Sequence, residues 1–246
     1  MAGVTRNRPI PTIKPDDAAF IRSLLIHEDD QVLAFNKPSG LPVQTAGGRG
    51  QSLDFLLWAF AKSNGKRPKL VHRIDSGTSG VLVVARTKPA AAHLSEQFAS
   101  RTTEKTYLAI VSGDVPADNA GVLSTPLKKV PSDRGGREKM IAARAGEAGA
   151  QSATTAWSIL SRSGNYALIE ARPETGRMHQ IRAHMAILGC PILGDRIYGT
   201  GKLSADRLML HAARLDIEHP NGSRLSLEAP LSDDFLAKAS GLGLRT

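Results

Sequence analysis

The stretch Leu70–Thr87, LVHRIDSGTSGVLVVART, places a carboxylate at the start of a buried strand. Asp75 stands before a turn rich in Ser, Gly and Thr, and the apolar run 81–84 that follows is typical of a core strand. Arg73 precedes Asp75 by two residues, so the two side chains share a face if the extended conformation reaches them. Gly77 and Gly80 permit a tight turn here. The glycines and hydroxyls after Asp75 also offer backbone and side-chain donors to a neighbouring carboxylate.

Composition bounds the class of protein. The 246 residues suit one large domain or two small ones with a real core. The formal net charge of +9 favours a polyanionic partner, which could be RNA, DNA or an acidic membrane surface. A merely basic, soluble protein is an equally good interpretation of the charge alone. The one cysteine, Cys190, excludes an internal disulfide framework.

Neither a membrane span nor a targeting segment is predicted. No run approaches the roughly 18 apolar residues that a membrane helix needs. Residues 1–20 hold three prolines among polar residues and predict a loose N-terminal tail without an apolar signal region. The expected location is therefore the cytoplasm.

Alternating and helical patterns predict a mixed set of elements. Strands are predicted at 31–36, 103–113, 153–160, 166–172, 210–218 and 224–228. Helices are predicted at 53–61 behind a Ser52 cap, at 89–100, and from about 174 to 188. Asn221-Gly222, between the last two strands, is a strong hairpin signal. The whole is typical of a mixed α/β fold that is rich in hairpins.

Residues 114–151 differ from the rest of the chain because they hold five glycines and show little periodicity. The stretch is also basic, with Lys128, Lys129, Arg134, Arg137, Lys139 and Arg144. We interpret it as a basic excursion between two halves of a sheet. A solvated loop is an equally good interpretation.

Several familiar catalytic patterns do not fit this sequence. GTGK at 199–202 lacks the spacing of a phosphate-binding loop, and GTSG at 77–80 is not the GxSxG of a hydrolase. His179 and His184 lie five residues apart on the predicted helix and diverge, whereas zinc ligands at i and i+4 converge. We expect one cleft histidine and one packed histidine. A structural zinc site is improbable with a single cysteine.

Basic side chains crowd the start of the same helix. The segment 176–184, GRMHQIRAH, holds Arg177, His179, Arg182 and His184. Such a helix start suits phosphates or a carboxylate. For any single arginine, an ordinary charged helix face is the better interpretation.

Taken together, these segments resemble the RluA family of RNA pseudouridine synthases. HRIDSGTSG resembles that family's catalytic motif, and the strand around Lys105 and Tyr107 resembles its second. The resemblance runs in order through the chain from about residue 26 to 230, and its segments are Glu28–Val43, 72–87, Glu104–Val111, Glu174–Gly199 and Leu210–Pro220. Ile74 and Met178 depart slightly from the usual pattern.

The resemblance implies a mixed, largely antiparallel sheet with flanking helices, split by a central cleft. It implies one catalytic domain at 21–246 and no separate S4-type RNA-binding domain. It also implies isomerisation of uridines in structured RNA without metal or cofactor. Ribosomal RNA, of the large subunit, is the expected partner, with transfer RNA as the alternative. The rival functions are a non-catalytic RNA-binding or ribosome-assembly factor and a metal-dependent nuclease or hydrolase.

Residue roles follow from the same resemblance. Asp75 would act at the sugar as nucleophile or base, and Arg182 would hold it ionised and oriented. Tyr107 would stack on the uracil and is a candidate base at C5. Arg73 would fill the space that a flipped uridine leaves, although an internal salt bridge is its alternative. The further RNA contacts are expected from Lys105, Lys128, Lys129, Arg177 and His179.

Overall fold

A computed structural model describes residues 11–45, 51–132, 138–199 and 205–246. The strands are β1 Leu25–Glu28, β2 Val32–Lys37, β3 Lys69–Leu70, β4 Ser79–Ala85, β5 Glu104–Ser112, β6 Ala120–Leu123, β7 Leu127–Pro131, β8 Glu138–Ala142, β9 Ala150–Gln151, β10 Thr155–Ser163, β11 Tyr166–Pro173, β12 Leu210–Glu218 and β13 Arg224–Glu228. The helices are α1 Pro15–Ser23, α2 Leu53–Leu56, α3 Lys88–Ser100, α4 Gln180–Ile187 and α5 Asp233–Gly241, with a 3-10 turn at Leu57–Phe60.

Within the described residues, ten strands form one sheet. Its order is β1-β2-β4-β12-β5-β11-β10-β6, with β3 paired to β4 and β13 paired to β12. The β4–β12 pairing is parallel and short, and the other strand pairs are antiparallel. The expected mixed, largely antiparallel sheet with flanking helices is therefore confirmed.

The apolar run after Asp75 is buried on both faces of the sheet. Along β4, Val83 packs in a cluster with Leu94 of α3, and the neighbouring Leu82 packs in a second cluster with Leu53 of α2. A strand covered on both sides needs continuous apolar residues rather than alternation. The other half of the sheet packs against α4 and α5 through residues that include Met185 and Phe235.

β4 and β12 meet at the seam of the two halves, and a glycine permits this contact. Gly80 has a φ of +109°, and a Cβ there would lie 2.2 Å from the carbonyl oxygen of Ala212. No other residue type fits at that distance without moving the backbone. The glycine of the opening sequence thus joins the two halves directly behind Asp75.

Residues 114–151 are neither a plain loop nor one excursion. β6 joins the main sheet beside β10, whereas β7, β8 and β9 form a separate three-stranded sheet. Leu127 and Met140 of this small sheet pack with Ala183 of α4. Arg134 and Arg137 lie outside the described residues.

Three expected boundaries are wrong. The loose tail expected at 1–20 contains the start of α1, which has Pro15 in its first turn and buries Ile21. The helix expected from about residue 174 begins at Gln180, because His179 before it is left-handed with a φ of 53°. The helix expected at 53–61 changes to a 3-10 turn after Leu56, although Ser52 caps it as expected. No helix in the described part of the chain is long and apolar enough to cross a membrane.

Candidate active site

The turn after Asp75 is fixed by the turn that follows β2. The backbone N–H of Thr78 donates to the Asp75 carbonyl at 3.1 Å, which closes the turn. The Ser39 hydroxyl donates to the Gly77 carbonyl at 2.6 Å, and the Gly40 N–H donates to the Ser76 carbonyl at 2.8 Å. These hydrogen bonds therefore hold the backbone of the turn between Asp75 and β4 in place.

Lys37 is a buried ammonium that joins these two turns. Its Nζ donates to the carbonyls of Pro38 and Leu41 at 2.9 Å and of Ser76 at 3.1 Å. Burial lowers the pKa of Lys37 to about 7, while the charge of Asp75 opposes the shift and Arg207 adds to it. Lys37 was not predicted as a site residue from the sequence. Its signal was a lysine that ends a strand whose first four residues, 32–35, are apolar and buried.

Arg182 connects Asp75 to a second carboxylate, Asp195. Its Nη1 donates to Asp75 Oδ2 at 3.0 Å, while Nε and Nη2 donate to Asp195 at 2.7 and 2.8 Å. The Asp195 side chain is fully buried and also accepts the backbone N–H groups of Ile197 and Tyr198. Asp195 thus fixes the guanidinium, and Nη1 is left to donate to Asp75.

These bonds shift the ionisation of the pair. Burial opposes the charge of Arg182, but Asp195 and Asp75 together raise its pKa above the ordinary value. Burial likewise opposes the charge of Asp195, and the donors around it hold its pKa below the usual range. Asp195 was not predicted as a site residue from the sequence, although it lies near the end of the segment Glu174–Gly199 that carries the resemblance.

A buried glutamine shapes the approach to α4. The Gln180 amide oxygen accepts the Thr175 hydroxyl at 2.6 Å and the Arg177 N–H at 3.0 Å. Its Nε2 donates to the Thr154 carbonyl and the Thr155 hydroxyl oxygen on the β10 side. This side chain closes the turn 175–179 and places His179 beside Asp75, where the His179 Nε2 is 3.8 Å from Asp75 Oδ2.

The two histidines of GRMHQIRAH diverge as expected. His179 lines the cavity, whereas His184 is fully buried. The His184 Nε2 lies 3.1 Å from the Thr125 carbonyl, which can only accept, so this nitrogen carries the hydrogen. Its Nδ1 lies 2.8 Å from the Thr155 hydroxyl, which then donates to it.

A cavity of about 790 Å³ opens beside Asp75. Its lining includes Tyr107 of β5, Phe98 of α3 and Arg182 of α4. Burial and the charge of Asp75 raise the pKa of Tyr107 above the ordinary value. The phenolate is therefore scarce at neutral pH. The raised pKa therefore favours a role for Tyr107 as a ring that lines the cavity over a role as a base.

The expected RNA contacts fall into two groups. Arg73, Lys105, Arg177 and His179 line the cavity, and burial lowers the pKa of Lys105. The strand expected to carry Arg73 and Asp75 together ends at Leu70, yet both residues face the cavity. Arg73 is exposed and makes no ion pair with a residue in the described ranges. The internal salt bridge that was its alternative is therefore not seen there.

Lys128 and Lys129 lie on β7, away from the cavity lining. Lys128 pairs with Glu147 and Lys129 with Glu138. Each positive charge thus has a carboxylate beside it, which weakens the basic surface expected of this stretch. Among the residues that the structure describes, no three His, Cys, Asp or Glu side chains are grouped to hold a metal ion.

Comparison with known proteins agrees with this geometry. The family model described as RNA pseudouridylate synthase matches residues 31–187. An uncharacterised RNA pseudouridine synthase of Zymomonas mobilis is 38% identical over 84% of this chain and 93% of its own. Ribosomal large subunit pseudouridine synthase D of the same organism is 36% identical over 92% of this chain and 75% of its own. Ribosomal large subunit pseudouridine synthase C of Vibrio parahaemolyticus is 37% identical over 94% of this chain and 73% of its own.

Solved structures give the same result. The human protein RNA pseudouridylate synthase domain containing 4 superposes with a TM-score of 0.78 at 29% identity, and the match covers 94% of this chain and 98% of that one. The chain belongs to the RNA pseudouridylate synthase family. It is an isomerase of the RluA type, with pseudouridine synthase activity on RNA.

Proposed function

We propose that this isomerase converts specific uridines of large-subunit ribosomal RNA to pseudouridine, in the cytoplasm. The support for the RNA target is the pair of relatives named ribosomal large subunit pseudouridine synthases D and C, at 36% and 37% identity respectively. The net charge of +9 suits any structured RNA. Transfer RNA is the alternative target.

The observation that carries the catalytic assignment is the carboxylate of Asp75, at the cavity and bonded to a fixed arginine. In the isomerisation the N1–C1′ bond of uridine breaks, the uracil turns, and a C5–C1′ bond forms. A proton leaves C5 and N1 gains one, so no oxidant or reductant is consumed. We assign the work at the sugar to Asp75, as nucleophile at C1′ or as base.

The two oxygens of Asp75 differ in their surroundings. Arg182 donates to Oδ2, and His179 is also nearest to Oδ2. Oδ1 accepts no hydrogen bond from a side chain or backbone group in the described ranges. A free lone pair is what a nucleophile or base needs, so we assign the reacting position to Oδ1. Arg182 then holds the charge and the rotamer through the other oxygen.

Tyr107 contributes a stacking surface under this proposal. Its raised pKa makes it a poor base in the free protein, so we assign it to the uracil ring rather than to the C5 proton. We assign Arg73 to the space in the RNA stem that the flipped uridine vacates. Its side chain is exposed and lines the cavity, and a guanidinium can stack on bases. Lys105 and Arg177, which line the same cavity, are assigned to the RNA backbone.

A tritium-release assay tests the catalytic assignment. RNA labelled with [5-3H]uridine loses tritium to water when C5 is joined to the sugar. Asp75→Asn keeps the shape and removes the ionisable group, so we expect no release while RNA binding and folding persist. Asp118→Asn, in an exposed loop, is the matched control and should be fully active. Turnover by pure Asp75→Asn protein would remove Asp75 from the chemistry.

A second experiment identifies the RNA. Carbodiimide treatment followed by primer extension maps pseudouridines in cells with and without the gene. The loss of one or more stops from large-subunit ribosomal RNA is the expected result. If stops were lost from transfer RNA alone, the ribosomal target would be wrong and the activity would stand.

A further inference from the structure

The Tyr198 hydroxyl has two hydrogen-bond partners, the backbone of Met140 and the side chain of His179. The backbone N–H of Met140 donates to the phenol oxygen at 2.8 Å, and His179 Nδ1 lies 3.2 Å from the same oxygen. A phenol has one hydrogen to give. Among residues in the described ranges, His179 Nδ1 is the acceptor within its reach. Donation to Nδ1 would give this hydrogen an acceptor, and Nδ1 would then carry no hydrogen of its own.

That direction would fix the tautomer of His179. A neutral imidazole that accepts at Nδ1 carries its hydrogen on Nε2. Nε2 is the nitrogen that faces Asp75, at 3.8 Å from Oδ2. That distance is too long for a direct hydrogen bond, but a hydroxyl of a bound uridine or a water, which can accept from Nε2–H and donate to the carboxylate, can bridge it. The opposite tautomer would present a lone pair to the carboxylate.

The surroundings favour the neutral form of the imidazole. Burial lowers the pKa of His179, Asp75 and Asp195 oppose the shift, and Arg182 adds to it. Burial also raises the pKa of Tyr198 to about 12, so the phenol keeps the hydrogen that it donates. These charged and titratable groups lie on the turn before β4, on α4 and on the segment after α4.

The backbone of His179 is held in an unfavourable conformation to reach this position. Its φ of 53° lies in the left-handed region, which few residues other than glycine adopt. Such outliers persist where the surrounding structure enforces them, and they occur at functional sites. Here the ring packs edge-on against Tyr198, with centroids 5.8 Å apart.

We propose that Tyr198 is a positioning residue that holds His179 as the neutral Nε2–H tautomer, so that a fixed N–H donor faces the uridine beside Asp75. The donor acts on an oxygen of the substrate, and Tyr198 acts only through His179. This inference rests on the isomerase activity, but its first test does not use that activity.

The first test reads the tautomer directly by long-range 1H–15N correlation spectra of the free protein. His179→Gln identifies the His179 signals by their loss. We expect the Nε2–H pattern in the wild type. We expect Nδ1–H to appear in Tyr198→Phe, because the ring stays and only the donor is removed. Tyr166→Phe, a half-buried tyrosine of β11, is the matched control and should leave the His179 signals unchanged. A protonated or Nδ1–H His179 in the wild type would overturn the proposal.

The second test asks whether Tyr198 acts through His179. With [5-3H]uridine-labelled total RNA from cells that lack the gene, Tyr198→Phe should lower kcat about tenfold, the effect of one lost hydrogen bond, with KM within about twofold. Gln at position 179 donates N–H from its amide whatever residue 198 is. In the His179→Gln background, Tyr198→Phe should therefore cost nothing further. An equal loss in both backgrounds would make Tyr198 merely structural. If the wild type released no tritium, the assigned function would fail while the spectra still decided the tautomer.

Discussion

Replacing Asp195 by asparagine tests how the cation beside Asp75 is held. The carboxylate accepts four hydrogen bonds, two from Arg182 and one each from the N–H groups of Ile197 and Tyr198. Asparagine has nearly the same shape but only one acceptor oxygen. If that oxygen keeps the backbone donors, the amide N–H₂ meets the Nε–H of Arg182, and two donors face each other.

The expected loss of stability is about 3 kcal/mol. Removing one partner of a buried ion pair costs roughly 3–5 kcal/mol because a charge stays buried without compensation. Arg182 keeps Asp75, so the cost should lie at the lower end. For a chain of this size that is a fall in Tm of roughly 6–12 °C. The guanidinium also becomes free to turn, and a displacement of about 1 Å can cost roughly 10²-fold in kcat.

Asp54→Asn is the matched control. Asp54 and Arg67 also form a two-bonded pair, at 2.7 and 2.9 Å, but their side chains are 28% and 26% exposed, against 0% and 9% for Asp195 and Arg182. An exposed pair of this kind is worth about 0.2–1 kcal/mol. Urea unfolding at neutral pH should therefore separate the two variants clearly. Equal losses would refute the view that burial makes the Asp195 pair special.

The same variant predicts a pH dependence. The pKa of Asp195 is lowered in the folded protein from 3.8, so its stabilisation is fully present above pH 3.8 and is lost as pH falls through the folded-state value. The difference in unfolding free energy between wild type and Asp195→Asn should stay constant near neutrality. It should shrink towards zero as the pH falls below 3.8. A gap that stays open in acid would contradict this assignment of the carboxylate.

Three further outcomes are expected from the site and its surface. Arg73→Ala should slow modification of a uridine in a stem-loop about tenfold more than in a short unstructured strand, because only the stem needs the space refilled; equal losses would assign Arg73 to plain phosphate binding. RNA affinity should fall steeply with salt, and Lys128→Ala or Lys129→Ala should each change the slope by less than about one, since both lysines are paired; an affinity independent of salt would contradict RNA binding by the basic surface. Activity should survive excess EDTA once monovalent salt keeps the RNA folded; a specific need for zinc or manganese would overturn the metal-free chemistry.

Much of the fold was predictable because its strongest elements have strong local signals. β12 and β13 have the predicted bounds, since alternating residues flank an Asn-Gly turn. α1 was missed among prolines, although Pro15 followed by Asp16 and Asp17 is a helix start signal. α4 begins late because Gln180 bonds to the preceding turn, and the spacing of apolar residues carries no information about such bonds.

The site was predictable only in part. Arg182 and Asp75 are 107 positions apart in the chain, and the resemblance rather than any local pattern paired them. Their hydrogen bond agrees with that pairing, while their catalytic roles stay predictions. Asp195 and Lys37 were missed because a buried charge has meaning only through its partners, and those partners come from distant elements.

Stability alone does not explain the buried ion pairs at this site. Apolar residues of similar volume in place of a buried ion pair are often neutral or stabilising. Asp195 instead fixes the orientation of the Arg182 guanidinium. It accepts hydrogen bonds from Nε and Nη2, and Nη1 is thereby placed 3.0 Å from one oxygen of Asp75. Lys37 fixes the backbone behind the same carboxylate through the Ser76 carbonyl. Both buried cations thus serve to hold Asp75 in one rotamer on one backbone, and its second oxygen is left without a hydrogen-bond donor from the described residues.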